Sequence, residues 1–421
     1  MRERSKDHEI KRSKIFLLVI LPLVSGCGNK IQSVPTLPVT IETSADKFDT
    51  DIYFDATVSM RGFTTLPVNN FYVTLPDVLG DMCGNFGTVN FFAFGEEIHA
   101  LDGRSHRQFA APDVYVEAIT SVANVVARAD TSHLSVVVTD MFESDSDWSL
   151  VAQKIRERFF AAHMTVAVVG IRNPFAGEIF DVGLSGAKFN YNSFDDPNRY
   201  RPFYLLVLGR DDAVKNFLRK FNERQNFAND TAYLLLTENL SSADFTTFEL
   251  SEVENFYSDD TLNLGNRVKE FGLDTFAEPA SFVVNWSHEP PLGTCPFDLS
   301  QVEMSAEIFT ANGDEWSPRE SNDVRATLLK DDRQSDLFLA KVSLTPEKSL
   351  SEVAANFVRI KISPTVNGFQ LPAWVDAWSC DATNFNGAKT VNLSRVLGSL
   401  KDSLVETSPP AFVEINFVVI P

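Results

Sequence analysis

The chain has 421 residues, 44% of them hydrophobic and 22% charged, with a formal net charge of −20. This length and apolar content suffice for two domains with separate cores. The acidic balance repels phosphate backbones and anionic headgroups, which argues against nucleic acid as a partner and would draw in divalent cations.

Residues 2–14 carry Arg2, Arg4, Lys6, Lys11, Arg12 and Lys14, and an apolar run follows from Ile15 to Val24. Ten apolar residues are too few to span a bilayer, which takes roughly twenty. A basic start, a short apolar core and then small residues describe a secretory signal over 1–26. The next residues, Val24-Ser25-Gly26-Cys27, resemble the bacterial lipobox, in which the cysteine thiol accepts a lipid. The resemblance implies lipidation at Cys27, a protein held to the cell envelope by its lipid and, because Gly28 follows, an outer-membrane address in a cell that has one. Without 1–26 the chain keeps 31 basic and 54 acidic residues, a net charge of −23. Of the remaining cysteines, Cys295 and Cys380 both lie in the C-terminal half and are expected to form a disulfide, with Cys83 a buried thiol.

Residues 27–48 lack a period, contain Pro35 and Pro38, and read as a tether. From residue 49 to 228 strands alternate with helices. Strands are expected at Ile52–Ala56, Val89–Phe94, Leu134–Thr139, Val166–Ile171 and Phe203–Leu208, and helices at Asp113–Ala127, Trp148–Ala162 and Asp211–Phe221. This alternation predicts an α/β fold, a doubly wound, mostly parallel sheet, interrupted at 172–202 by a hairpin insertion. A connecting region, 229–274, follows. Residues 275–421 are rich in strand-like runs and read as an all-β domain, most simply a sandwich, with one helix at Leu393–Leu404.

The first strand runs into Asp55-Ala56-Thr57-Val58-Ser59, and the apolar strand SVVVTD ends in Asp140. An acid at a strand end with two hydroxyls in the next loop sets three oxygens on one side of a turn, and hard cations such as Mg²⁺ take oxygen ligands. The arrangement resembles the metal-ion-dependent adhesion site of von Willebrand factor type A domains, over about residues 48–225. The resemblance implies that Asp55, Thr57, Ser59 and Asp140 hold Mg²⁺ or Mn²⁺, and that an acidic side chain of a protein partner completes the shell. It implies a membrane-anchored binding module rather than an enzyme. The family also has a Thr before the next helix. Here Pro112 stands in that place, leaving Asp113 either to reach the metal or to cap its helix.

Other features carry less. Asp259, Thr261, Asn263 and Glu270 imitate a calcium loop with its Gly misplaced. Glu143, Asp145 and Asp147 form an acidic loop, Arg104, His106 and Arg107 a basic patch, and Gly183–Gly186 a turn. Asp55 and Thr139 loosely resemble haloacid-dehalogenase-type phosphatases, in which such an Asp attacks phosphate, but Thr57 replaces the second acid. A third reading is a structural envelope lipoprotein with a metal-free type A fold.

Overall fold

The computed structural model describes residues 34–37 and 47–420, apart from 67–68, 142–147, 181–187, 225–230, 241–247, 260–261, 263–267, 288–290, 297, 299, 321–322, 331–336, 366 and 412. Cys27 and the expected signal therefore lie outside the described residues.

The strands up to residue 236 are β1 (Thr50–Asp55), β2 (Val89–Phe94), β3 (Ile98–Leu101), β4 (Leu134–Thr139), β5 (Thr165–Asn173), β6 (Ala176–Ile179), β7 (Phe189–Asn192), β8 (Arg201–Gly209) and β9 (Thr231–Leu236). The helices among them are α1 (Phe71–Cys83), α2 (Val122–Arg128), α3 (Trp148–Arg158) and α4 (Asp211–Glu223). Seven strands make one sheet in the order β3-β2-β1-β4-β8-β5-β9. The fold is mixed α/β. Every residue of β1, β4 and β8 is buried, as expected of continuously apolar strands covered on both faces. Alternation divides the side chains: Val136 and Val138 enter a core with residues of α1 and α4, whereas Val137 enters a second core with residues of α2 and α3.

Pairing is more mixed than the strand–helix alternation predicts. β1 runs parallel to β2 and β4, but β8 runs antiparallel between β4 and β5, and the edge strands β3 and β9 are antiparallel to their neighbours. The cause is local. The described residues between β5 and β8 form the hairpin β6–β7 and a 3-10 turn, Pro197–Arg199, instead of a crossover helix. A chain that returns without a crossover pairs antiparallel, so Asn173 sits opposite Arg201. One consequence matters below: the N-terminal end of β8 lies beside the C-terminal end of β4.

Farther on come β10 (Phe248–Glu254), β11 (Phe256–Ser258), β12 (Lys269–Leu273), β13 (Ala280–Ser287), β14 (Val302–Asn312), β15 (Glu315–Arg319), β16 (Val324–Lys330), β17 (Leu337–Leu344), the short α5 (Pro346–Ser349) and β18 (Asn356–Pro364). They end with α6 (Ala373–Trp378), β19 (Ser379–Cys380), β20 (Thr390–Val391), α7 (Leu393–Thr407) and β21 (Val413–Ile420). One sheet has the order β10-β13-β17-β16 and another β11-β12-β21-β18-β14-β15. Both contribute to a single core, with Phe282, Val284 and Val342 from the first meeting Phe271, Ile360 and Phe417 from the second.

Between β18 and β21 the chain returns to the first sheet. Val375, Leu397, Leu400 and Leu404 join Val137, Val168 and Leu206 in one core, so a cut near residue 275 does not separate the two regions. Leu400→Ala should therefore cost about 2–5 kcal/mol in urea unfolding, through lost burial and the cavity left behind. A cost below about 1 kcal/mol would show that α7 is not integral to that core.

Two further expectations change. Residues 34–37 lie against the six-stranded sheet: Val34 and Leu37 pack on the cluster containing Phe357 and Trp316, and Trp316 Nε1 donates to the Pro35 carbonyl at 3.2 Å. The disulfide expected between Cys295 and Cys380 is absent, and both are free thiols, as is Cys83. Cys295 is buried in the core beside α7, where desolvation pushes its thiol up to about 12. Cys380 is half-buried on β19, with its sulfur toward the Asn386 carbonyl. Thiol titration of the denatured chain should count Cys83, Cys295 and Cys380 equally before and after reduction; a gain of two thiols on reduction would restore the bridge.

Candidate metal site at the sheet edge

β1 and β4 are parallel neighbours, so their C-terminal ends, Asp55 and the Thr139–Asp140 step, meet at one edge of the sheet. Asp55 is fully buried and Asp140 is 3% exposed. Past β1 the chain turns tightly, and Asp55 Oδ1 accepts from the Thr57 amide at 3.0 Å and from Thr57 Oγ1 at 2.6 Å. Ser59 Oγ lies 3.0 Å from Thr57 Oγ1. On the other side Thr139 Oγ1 donates to Asp55 Oδ2 at 3.2 Å and accepts from the Met141 amide, where the backbone turns with φ +59°. Asp55, Thr57 and Ser59 are thus joined by hydrogen bonds, and Asp140 lies near enough to Asp55 to act on its charge.

Pro112 led to no hydroxyl being expected before the second helix, yet a residue that sequence reasoning missed joins this set there. Thr120 Oγ1 donates to Thr57 Oγ1 at 3.1 Å and is buried. The expected helix Asp113–Ala127 begins nine residues later, at Val122, with Ser121 as its N-cap accepting from the Asn124 amide. Residues 115–121 form no helix, and Glu117 makes an isolated parallel bridge to Thr57 instead. Glu117 exchanges backbone hydrogen bonds with Ala56 and Val58, and Tyr115 is anchored by its hydroxyl to the Phe109 carbonyl at 2.6 Å. Gly95 permits this approach, since a Cβ there would lie 2.7 Å from the Glu117 side chain. Pro112 and Asp113 fall in a 3-10 turn, and Asp113 is exposed, away from this buried set. The signal for Thr120 was a Thr-Ser pair immediately before the apolar run of α2.

Burial and the nearby Asp140 charge raise the Asp55 carboxyl from 3.8 to about 7, against the lowering effect of its hydrogen bonds. Two carboxylates in a desolvated edge call for positive charge. Among the described residues no group of three or more His, Cys, Asp or Glu side chains is placed to hold a metal. A cation here would therefore be held by two carboxylates with hydroxyls and water. That donor set fits hard Mg²⁺ or Mn²⁺ and not zinc.

One cation is built in. Arg201, at the start of β8 and 5% exposed, has Nη2 3.9 Å from Asp140 Oδ2. No motif announced it, because it arrives only through the antiparallel insertion of β8.

The remaining candidates lie elsewhere. Glu143, Asp145 and Asp147 fall outside the described residues, as do Thr261, Asn263 and Gly183–Gly186. Glu270 is buried and accepts the Leu262 amide at 2.9 and 3.0 Å, which holds its own loop. In the basic patch His106 stacks on Phe91, and Arg107 pairs with Asp77 at 2.7 Å. No protein-family model, curated protein or solved structure matches this chain.

Proposed function

We propose that this chain is a membrane-anchored, extracytoplasmic binding module in which a von Willebrand type A-like domain engages a protein partner through a divalent cation. Cys27 carries the lipid, and the paired C-terminal sheets form a β-sandwich beside the binding domain. Asp55, Thr57, Ser59, Thr120 and Asp140 hold Mg²⁺ or Mn²⁺, and an acidic side chain of the partner completes the shell. The observation that carries this reading is the buried run of oxygens from Thr120 through Thr57 to Asp55, with Asp140 close by. The antiparallel β8 departs from the resemblance: it pairs with β4 on the side away from β1, so the β1–β4 pairing is kept, but it brings Arg201 beside Asp140.

Affinity capture of the full chain from native membranes, with and without chelator, tests the proposal. A partner that is retained in Mg²⁺ and lost both in chelator and from Asp55→Ala supports it. The same partner in all three conditions would refute cation-dependent binding. The guanidinium beside Asp140 favours the second reading, a structural envelope lipoprotein whose type A fold works without metal.

A further inference from the structure

Arg201 is held in place by more than Asp140. Its Nη1 donates to the carbonyls of Gly387 and Lys389, each at 3.2 Å. Its guanidinium lies over the Phe175 ring, 5.5 Å from the centroid. Its Nε is buried and has no hydrogen-bond partner among the described residues. Three residues farther along β8, Tyr204 hydrogen-bonds Thr390 of β20 through their hydroxyls at 2.8 Å. Residues 387–390 thus lie over the N-terminal half of β8 like a strap, and run directly into α7, whose leucines share a core with β4 and β8. The strap needs a glycine: a Cβ on Gly387 would sit 2.2 Å from the ring of Tyr191.

Resting on the cation-site reading above, we propose that Arg201 is the resident counter-cation of the Asp55–Asp140 edge, and that the 387–389 strap holds it there in competition with an incoming divalent cation. Like charges a few ångströms apart in a poorly solvated site repel strongly. Arg201 is always charged at working pH and, with β8 fixed in the sheet, cannot leave Asp140 without breaking its bonds to the strap. A cation at Asp140 therefore has to displace the guanidinium, and displacement frees the two strap carbonyls. Metal occupancy and the seating of the C-terminal segment then oppose each other.

Two measurements on the full chain test this. The first is Mn²⁺ affinity, read from the electron paramagnetic resonance signal of free Mn²⁺, for wild type, Arg201→Gln and Gly387→Ala. Arg201→Gln should bind at least about tenfold more tightly. Gly387→Ala, which unseats the strap against Tyr191 without touching a carboxylate, should shift affinity the same way by less. The second is a double-mutant cycle in chelator between Arg201→Gln and Asp140→Asn, read by urea unfolding. Arg201→Gln should destabilise the wild type far more than it destabilises Asp140→Asn. Equal Mn²⁺ affinity in wild type and Arg201→Gln would overturn the competition. Additive costs in the cycle would overturn the pairing itself. Mn²⁺ binding to neither chain, with the cycle still coupled, would overturn the cation reading of the site and the competition with it, while leaving Arg201 as the permanent partner of Asp140.

Discussion

Millimolar Mg²⁺ or Mn²⁺ is expected to raise the melting temperature of the purified chain by about 5 °C, and Asp55→Ala should abolish the rise. At a hundred times the dissociation constant, a ligand confined to the folded state adds about 2.7 kcal/mol. In a chain of this size each kcal/mol moves the midpoint by about 2 °C. Asp55 is the residue to remove because it is fully buried and is the end point of hydrogen bonds from Thr57 and Thr139. Thr120→Val should shrink the response without removing it, since it deletes one hydroxyl from the set and leaves both carboxylates. A full response in Asp55→Ala would place the cation elsewhere. The effect should also depend on pH: with the Asp55 carboxyl raised to about 7, a cation entering below that value must displace a proton. The shift at a fixed concentration should therefore be small at pH 5.5 and level off above pH 7.

Asp55→Asn in chelator should behave in the opposite sense and stabilise the protein at alkaline pH. In the folded chain Asp55 keeps its proton up to about pH 7, whereas the unfolded chain releases it near the ordinary carboxyl value of 3.8. The folded state therefore binds more protons between those values, and stability falls as pH climbs through that window, then levels off. The full difference corresponds to about 4 kcal/mol at pH 8 and about 1.6 kcal/mol at pH 5. Asparagine is neutral throughout and keeps an oxygen to accept from Thr57, so it escapes the cost. Urea unfolding of both chains at pH 5 and pH 8 should show the stability gap widening with pH. A gap of constant size would mean that Asp55 does not titrate in this window. Together the two substitutions distinguish a site built for a cation from a buried polar cluster built for packing, because the first loses a response to metal and the second gains stability without it.

The carboxylate edge was legible because its strands are. β1 and β4 are apolar runs that end abruptly in an acid, and a run buried on both faces announces its own boundaries. Helix α1 was not legible. Pro76 interrupts its pattern, and the helix forms because Asn70 caps its start and Phe71, Tyr72, Leu75 and Leu79 are buried. Thr120 was obscured by the apolar spacing of 113–127, which fits a helix although Tyr115 and Glu117 are held out of one by partners more than forty residues away in Ala56, Val58 and Tyr72. Arg201 and the α7 face are harder still. Both depend on which strand lies beside β4 and on where the chain returns after β18, and pairing choices of that kind are made between segments far apart in sequence.

The contact between Pro35 and Trp316 sets a length scale for attachment. Were all of residues 27–48 free, a lipid on Cys27 would let the folded protein roam on a leash of some twenty residues. With Val34 seated on the six-stranded sheet, only the seven peptide steps from Cys27 remain. Even fully stretched they reach about 25 Å. A lipidated copy would then carry the Trp316 face close against the headgroups, and a partner would meet a body of fixed standing height, not one on a slack cord.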